Sequence, residues 1–294
     1  VNEAHPTDGK VHRCGVVALL GRPNAGKSTL LNALLGEKIS IIASRAQTTR
    51  SNLLGVLTRP CAQILFHDTP GVNRGQSKFN LALTHCALAA AEDADLRLLL
   101  FESGAIWDEP EERVAGLPGP TILVRTKRDG SEPSAVPDPE RFAAVLEVSA
   151  RTGLGLEELL GVVESFLPEG PALYPEDTLT DVPMRFLAAE QIREVVFERY
   201  RDEIPYAVAV EIEQWKETDA DVRIGATLLV ERESQKAIVI GAGAKMVKSV
   251  GIEARQRLAQ LTGKPVHLAL HVKTDRNWTK RPQRVRELGY GSMR

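Results

Sequence analysis

Eight consecutive residues, Gly21-Arg22-Pro23-Asn24-Ala25-Gly26-Lys27-Ser28, have the types and spacing most able to do chemistry. They fit GxxxxGK[ST], in which glycines let backbone N–H groups curl around phosphates at a helix N-terminus. Lys27 can reach β- and γ-phosphates, the Ser28 hydroxyl can ligate Mg²⁺, and Ala25 and Thr29 complete the phosphate-binding run. Further on, Asp68-Thr69-Pro70-Gly71 ends a short apolar run, where Asp68 can hold Mg²⁺ through water and the Gly71 N–H can meet a γ-phosphate. Thr126-Lys127-Arg128-Asp129 follows another such run. A carboxylate at Asp129 can accept the N1–H and N2–H donors of guanine, and left unpaired by adenine it would penalise the wrong base. Ser149-Ala150 would offer backbone N–H to the guanine O6. Each four-residue motif is weak alone, but four in order, each at the end of a strand-like run, point to one nucleotide site.

The elements that must position these residues can be read from hydrophobic pattern. Val16–Leu20, Gln63–Phe66, Leu96–Phe101, Thr121–Val124 and Val145–Val148 are short apolar runs. They alternate with helical spacing over Ser28–Leu35, Phe79–Ala91 and Leu156–Phe166, the grammar of a parallel sheet covered on both faces. Residues 1–14 are unpatterned and read as a flexible arm, 15–167 as the nucleotide-binding domain, and the proline-rich 168–183 as a linker. Residues 184–294 read as an α+β domain. It contains a helix over Met184–Glu203, strands at Tyr206–Trp215, Val222–Val230 and Ala237–Ile240, a basic helix over Ala244–Leu261, and a strand at Val266–Lys273. The first two of those strands are expected to be adjacent and antiparallel.

Between the expected strand at 237–240 and the basic helix lies Gly241-Ala242-Gly243-Ala244-Lys245, with Lys248 one turn on. Side-chain-free backbone before a helix N-terminus lets nucleic-acid phosphates approach, although a Gly-rich turn before a solvated helix has the same letters. Charge is informative here: the net of −2 conceals +9 in residues 241–294 and −11 in the rest. That asymmetry points to one basic face on an otherwise acidic protein, and from charge alone a polyanion-binding face and a merely solvated helical face fit it equally well. The three cysteines are widely spaced without a CxxC pair, so the expectation is reduced thiols and a cytoplasmic protein with neither disulfide framework nor zinc site. His267 and His271 share a strand face with no third ligand, and Trp278 either stacks on a base or anchors the last helix.

The motifs GRPNAGKS, DTPG, TKRD and SA are similar to those of translation-factor-class GTPases. Ala46-Gln47-Thr48-Thr49-Arg50 resembles the first switch of the Era family of bacterial ribosome-assembly GTPases, and PEDTLTDVPMRF and LLVERESQKAIVIGAGAK resemble the same family. The resemblance covers about residues 13–290. It implies an α/β P-loop GTPase domain with a doubly wound parallel sheet, followed by an α+β type II KH domain that binds RNA through Gly241–Lys245 and Lys248. GTP and GDP are the implied ligands, with Mg²⁺ on Ser28, Asp68 and Thr49 in preference to Thr48. Lys27, Asn24, Thr49 and Gly71 are the implied catalytic residues. Val72 stands where Ras-type GTPases have a water-orienting Gln, so intrinsic hydrolysis should be slow, and Asn24 is the place where related GTPases ligate K⁺. The implied partners are the 3′ end of small-subunit ribosomal RNA and the 30S subunit, bound by a monomer. A peripheral membrane role through the basic region and a non-hydrolysing RNA-binding module are the rivals. Two departures carry expectations of their own. Thr126 replaces the usual Asn and should brace the phosphate loop less well, and Ala244 replaces the last Gly of a GxxG loop, where alanine should suit the start of a helix.

Overall fold

The computed structural model describes residues 11–42, 49–74, 78–127 and 135–290. It divides into two compact units, one running through Ser40 and from Thr49 to Asp181, the other running from Val182 and including Ile41 and Ile42.

The first unit contains β1 (Arg13–Gly21), α1 (Lys27–Leu35), β2 (Leu53–Arg59), β3 (Ala62–Asp68), α2 (Lys78–Glu92), β4 (Leu96–Glu102), α3 (Glu109–Ala115), β5 (Thr121–Thr126), β6 (Ala144–Glu147) and α4 (Leu156–Phe166). Its sheet has the order β2-β3-β1-β4-β5-β6. Five strands are mutually parallel, and β2 is an antiparallel edge strand hairpinned to β3. The apolar runs lie in the middle of this sheet: Val17–Leu20, Leu98–Leu100 and Ile122–Val124 are wholly buried at consecutive positions. Burial without alternation requires cover on both faces, which is why these runs read as continuous. The five parallel strands deliver their carboxyl ends, Gly21, Asp68, Glu102, Thr126 and Glu147, to one edge.

The stretch read as a linker is hydrogen-bonded to this sheet through much of its length. The amide of Gln63, itself wholly buried, accepts from Leu173 N (2.7 Å) and Tyr174 N (2.9 Å) and donates to Tyr174 O (2.8 Å). Val56 N donates to Leu179 O (2.8 Å), and the Thr180 hydroxyl donates to Leu54 O (2.6 Å). The division between units falls after Asp181.

The second unit contains α5 (Met184–Arg199), α6 (Ile204–Ala207), β7 (Ala209–Glu217), β8 (Val222–Val230), α7 (Glu233–Ile240), α8 (Lys245–Thr262), β9 (Val266–Thr274) and α9 (Pro282–Glu287). β7 and β8 are antiparallel as expected, and β9 joins β8 in parallel. Ile192, Val195 and Val196 of α5, Val250, Ala254 and Leu258 of α8 and the inward residues of β8 form one core. The expected strand at Ala237–Ile240 is the last turn of helix α7. Its β-branched run suggested a strand, but Gln235 Oε1 accepts the N–H groups of Glu231 (3.0 Å) and Arg232 (3.1 Å) and so starts a helix just before it. Val239 is buried in the core by helical spacing.

Candidate functional site

β1 ends at Gly21 in the sheet interior, and α1 starts at Lys27 with no side chain capping its first N–H groups. The loop between them thus aims unpaired backbone donors at whatever lies over the strand end. Lys27 is 5% exposed, and its ammonium points back into the loop, donating to Gly21 O (3.2 Å) and Arg22 O (2.9 Å). Burial pushes its pKa down to about 8, with the charge of Asp68 pulling the other way. A cation held in a dry loop beside unpaired donors is prepared for phosphate oxygens. Asn24 is exposed at the loop tip with φ 68°, a left-handed conformation that asparagine tolerates.

Asp68, at the end of β3, is wholly buried, and three hydroxyls converge on its Oδ2: Ser28 (2.6 Å), Ser40 (2.7 Å) and, more distantly, Thr49 (3.4 Å). Ser28 and Thr49 are also within 2.9 Å of each other. Burial raises the Asp68 pKa against the lowering effect of these hydrogen bonds and Lys27. The other oxygen, Oδ1, is buried without a hydrogen-bond partner. A buried carboxylate with one orphaned oxygen, ringed by hydroxyls, is a hard-oxygen donor set of the kind Mg²⁺ takes. Among the described residues no cluster of His, Cys, Asp and Glu offers a rival metal site. Thr48 lies outside the described residues.

Gly71 sits against the phosphate loop so closely that a Cβ on it would lie 2.5 Å from Pro23 N. Only glycine lets these two loops meet. Val72 N donates to Gly21 O (3.0 Å), and the Val72 side chain is buried with Ala18, Leu20 and Leu99. It therefore packs inward and offers nothing to orient water.

On the far side of the loop a cleft of about 380 Å³ is lined by Gly26, Thr29, Ser103, Thr126, Ser149 and Ala150, among others. Thr126 does brace the phosphate loop, its hydroxyl donating to Ala25 O at 2.7 Å, so the weaker bracing expected of it is offset by a direct bond. Lys127 pairs with Glu102 (2.7 Å) along the rim. Ser149 N is spent on Leu154 O (3.0 Å), which leaves Ala150 to present a backbone donor to the cleft. Asp129 lies outside the described residues. Ser40, Ser103 and Glu102 carry no motif and are found only through the fold.

In the second unit the Gly-rich loop joins helix to helix. Gly241 caps α7, residues 242–244 make a single 3₁₀ turn, and α8 begins at Lys245. Gly243 (φ 58°) and Ala244 (φ 59°) are both left-handed. Ala244 is therefore not at the helical start expected of it but in a conformation that disfavours any Cβ. The N–H groups of Ala244 and Lys245 are bonded to Gly241 O and Ala242 O. Ala242 and Gly243 are themselves exposed. Lys245, Lys248, Ile252 and Gln256 follow on one face of α8 along a shallow groove of about 600 Å³.

Comparison with known proteins sorts these features. The family described as "50S ribosome-binding GTPase" matches residues 16–127, and that described as "KH domain" matches residues 203–279. The chain is 43% identical over 291 residues to GTPase Era of Geobacter metallireducens, covering 95% of this chain and 98% of that one. It is 43% identical over 289 residues to GTPase Era of Bordetella petrii, with the same shares. The chain belongs to the Era family of GTPases. Among solved structures, Era in complex with MgGDPNP and nucleotides 1506–1542 of 16S ribosomal RNA superposes with a TM-score of 0.88 at 36% identity, covering 95% of this chain and 99% of that one. A variant of Aquifex aeolicus Era bound to GDP·AlF₄⁻ gives the same TM-score at 38% identity and the same coverage.

As in other members of the Era family, the first unit is a GTPase domain and the second a KH domain. The basic residues of this KH domain divide into two groups. Arg257 is tied to Glu194 (3.0 Å), Glu198 and Glu253 (2.6 Å), Lys273 to Glu213 (2.7 Å), and Arg284 to Asp275 and Glu211 (both 2.8 Å). These charges are internally neutralised and contribute less to a basic face than the sequence count suggests. Lys245, Lys248, Arg255, Arg276, Lys280 and Arg286 are exposed and carry no ion pair among the described residues. Trp278 is wholly buried and donates its indole N–H to Ala207 O (2.9 Å), so it anchors the C-terminal turn and is not a base-stacking platform. His267 and His271 are exposed, and His267 lies 3.4 Å from Asp221. No helix among the described residues is long and apolar enough to cross a membrane.

Proposed function

We propose that this GTPase is a nucleotide-operated switch that binds small-subunit ribosomal RNA near its 3′ end through the KH domain and acts in 30S subunit assembly. The observation that carries the reading is the likeness, over 95% of the chain, to Era holding both MgGDPNP and nucleotides 1506–1542 of 16S ribosomal RNA. Here Lys27, Gly26, Ser28, Thr29 and the Gly71 N–H hold the phosphates, Asp129 reads guanine, Thr126 and Lys127 brace its pocket, and the Ala150 N–H meets O6. Ser28, Thr49 and Asp68 hold Mg²⁺, which when bound neutralises phosphate charge. Lys27 adds its own buried charge at the same oxygens. Buried Val72 leaves the attacking water without a side chain to orient it, so the intrinsic rate is slow. Asn24, exposed at the loop tip, is the residue this reading assigns to ligate K⁺ beside the phosphates. A monomeric, cytoplasmic protein completes the reading.

The test is binding of an oligonucleotide carrying the 3′-terminal small-subunit sequence, with a GTP analogue and then with GDP. Affinity should fall steeply with salt as several counterions are released on binding. Ala242→Asp, which sets a carboxylate on the exposed loop that is proposed to meet an RNA phosphate, should abolish RNA binding and leave GTP binding intact. Full RNA affinity in that variant would remove the loop from the RNA site. Asp129→Asn should exchange guanine preference for xanthine. Replacing Na⁺ by K⁺ should raise turnover in the wild type but not in Asn24→Ala.

A further inference from the structure

The four motifs leave one buried contact of Asp68 unexplained. Ser40 belongs to none of them, yet its hydroxyl lies 2.7 Å from Asp68 Oδ2 and the residue is 3% exposed. Its backbone is held on both sides by a single side chain. Asn32 Oδ1 accepts the N–H groups of Ile39 (3.1 Å) and Ser40 (3.0 Å), and Asn32 Nδ2 donates to Ser40 O (2.7 Å). Asn32 is also buried, and it lies four residues beyond Ser28 on the same face of α1. The contacts therefore close a ring. From one face of α1, Ser28 reaches Asp68 directly, while Asn32 reaches it through Ser40.

The three hydroxyls on Asp68 are not equivalent. Ser28 and Thr49 are themselves candidate cation ligands, so their hydrogen bonds to the carboxylate can be exchanged for a cation. Ser40 is fixed by Asn32 and has its single hydroxyl proton committed to Oδ2. It holds the carboxylate plane with Oδ2 turned to the loop and Oδ1 left without a partner. We propose that Ser40, clamped by Asn32, is a positioning residue that orients the Asp68 carboxylate for Mg²⁺, acting through Asp68 and touching neither cation nor nucleotide. The proposal rests on Asp68 being the Mg²⁺ carboxylate. Groups that orient a metal ligand in this way set metal affinity by roughly 10–100-fold.

The experiment measures release of fluorescent methylanthraniloyl-GDP from the full chain as Mg²⁺ is titrated, with excess EDTA as the metal-free reference. Ser40→Ala should raise the Mg²⁺ concentration for half-maximal slowing by about tenfold, while its release rate in EDTA stays at the wild-type value. Ser40→Thr, which keeps the hydroxyl, should restore the wild-type midpoint. Asn32→Asp keeps the two acceptor contacts but loses the donor to Ser40 O, and should shift the midpoint in the same direction. It decides the matter if Ser40→Ala does not fold. An unchanged midpoint in Ser40→Ala, or a change in EDTA as large as that in Mg²⁺, overturns the proposal. Asp68→Asn separates the two levels. If it too leaves the midpoint unmoved, the Mg²⁺ assignment fails. If it shifts the midpoint while Ser40→Ala does not, only the role of Ser40 fails.

Discussion

Ala244 is the residue at which one substitution should improve this protein. Both it and Gly243 hold left-handed backbone, with φ 59° and 58°. For an L-residue that conformation costs roughly 1–2 kcal/mol. Ala244→Gly removes this cost and returns part of it as extra freedom in the unfolded chain, about 0.4–1 kcal/mol. The net expectation is a KH domain more stable by about 0.5–1 kcal/mol, a rise of roughly 2–4 °C in Tm. Gly243 supplies the opposite perturbation. A Cβ there would meet nothing within 4 Å, so Gly243→Ala would report backbone conformation alone, with no steric clash mixed in. It should lower stability by about the same amount. Thermal unfolding can be followed by tryptophan fluorescence, since Trp215 and Trp278 lie in the second unit, with saturating GDP present to raise the first unit's transition away from it. If Ala244→Gly melts at or below the wild-type temperature, or Gly243→Ala costs nothing, the left-handed pair is not the source of strain.

Three more outcomes follow from the geometry. Lys27, with a pKa of about 8 in place of 10.5, carries fewer protons folded than unfolded across that interval, so stability without nucleotide should rise with pH there. Phosphate restores the charge, and GDP binding at pH 9 should take up most of a proton. Calorimetry in two buffers of different ionisation enthalpy measures this, and zero uptake would refute it. Thr126→Val removes the donor to Ala25 O and leaves that carbonyl unsatisfied, so urea unfolding should show the GTPase domain weakened by about 1–3 kcal/mol and GDP binding loosened. Trp278→Phe loses the bond to Ala207 O and should destabilise the KH domain by about 1–3 kcal/mol, read by the same unfolding, with RNA affinity unchanged while the domain is folded.

What could be read from the sequence, and what could not, divides by the range of the interaction. The phosphate loop, Asp68 and the base cleft are contiguous runs at strand ends, so their letters are enough to place them. Ser40 is 28 residues from the carboxylate it touches, and Asn32 looks like any polar residue on a helix, so their meeting depends on the tertiary fold. The run Ala237-Ile238-Val239-Ile240 has the composition of a strand. It is helical because Gln235 caps the chain before it and the core accepts Val239 at helical spacing. β2 was hidden because Leu53-Leu54-Gly55-Val56 is interrupted by glycine, which weakens a strand pattern. The basic count of the last 54 residues misled in part, since Arg257, Lys273 and Arg284 have acidic partners from distant elements.

The strap over the first sheet also bears on how the protein is made. Gln63 and Val56 wait for Tyr174 and Leu179, which leave the ribosome more than 100 residues later. Until then β2 is an open edge, with unpaired backbone groups beside a buried amide, the kind of surface that pairs with the wrong chain. A GTPase domain cut after α4 would keep every nucleotide-binding motif and still carry that defect for good. The first compact unit ends at Asp181, so the proline-rich segment leading to it is part of that domain and is the seam that closes its sheet.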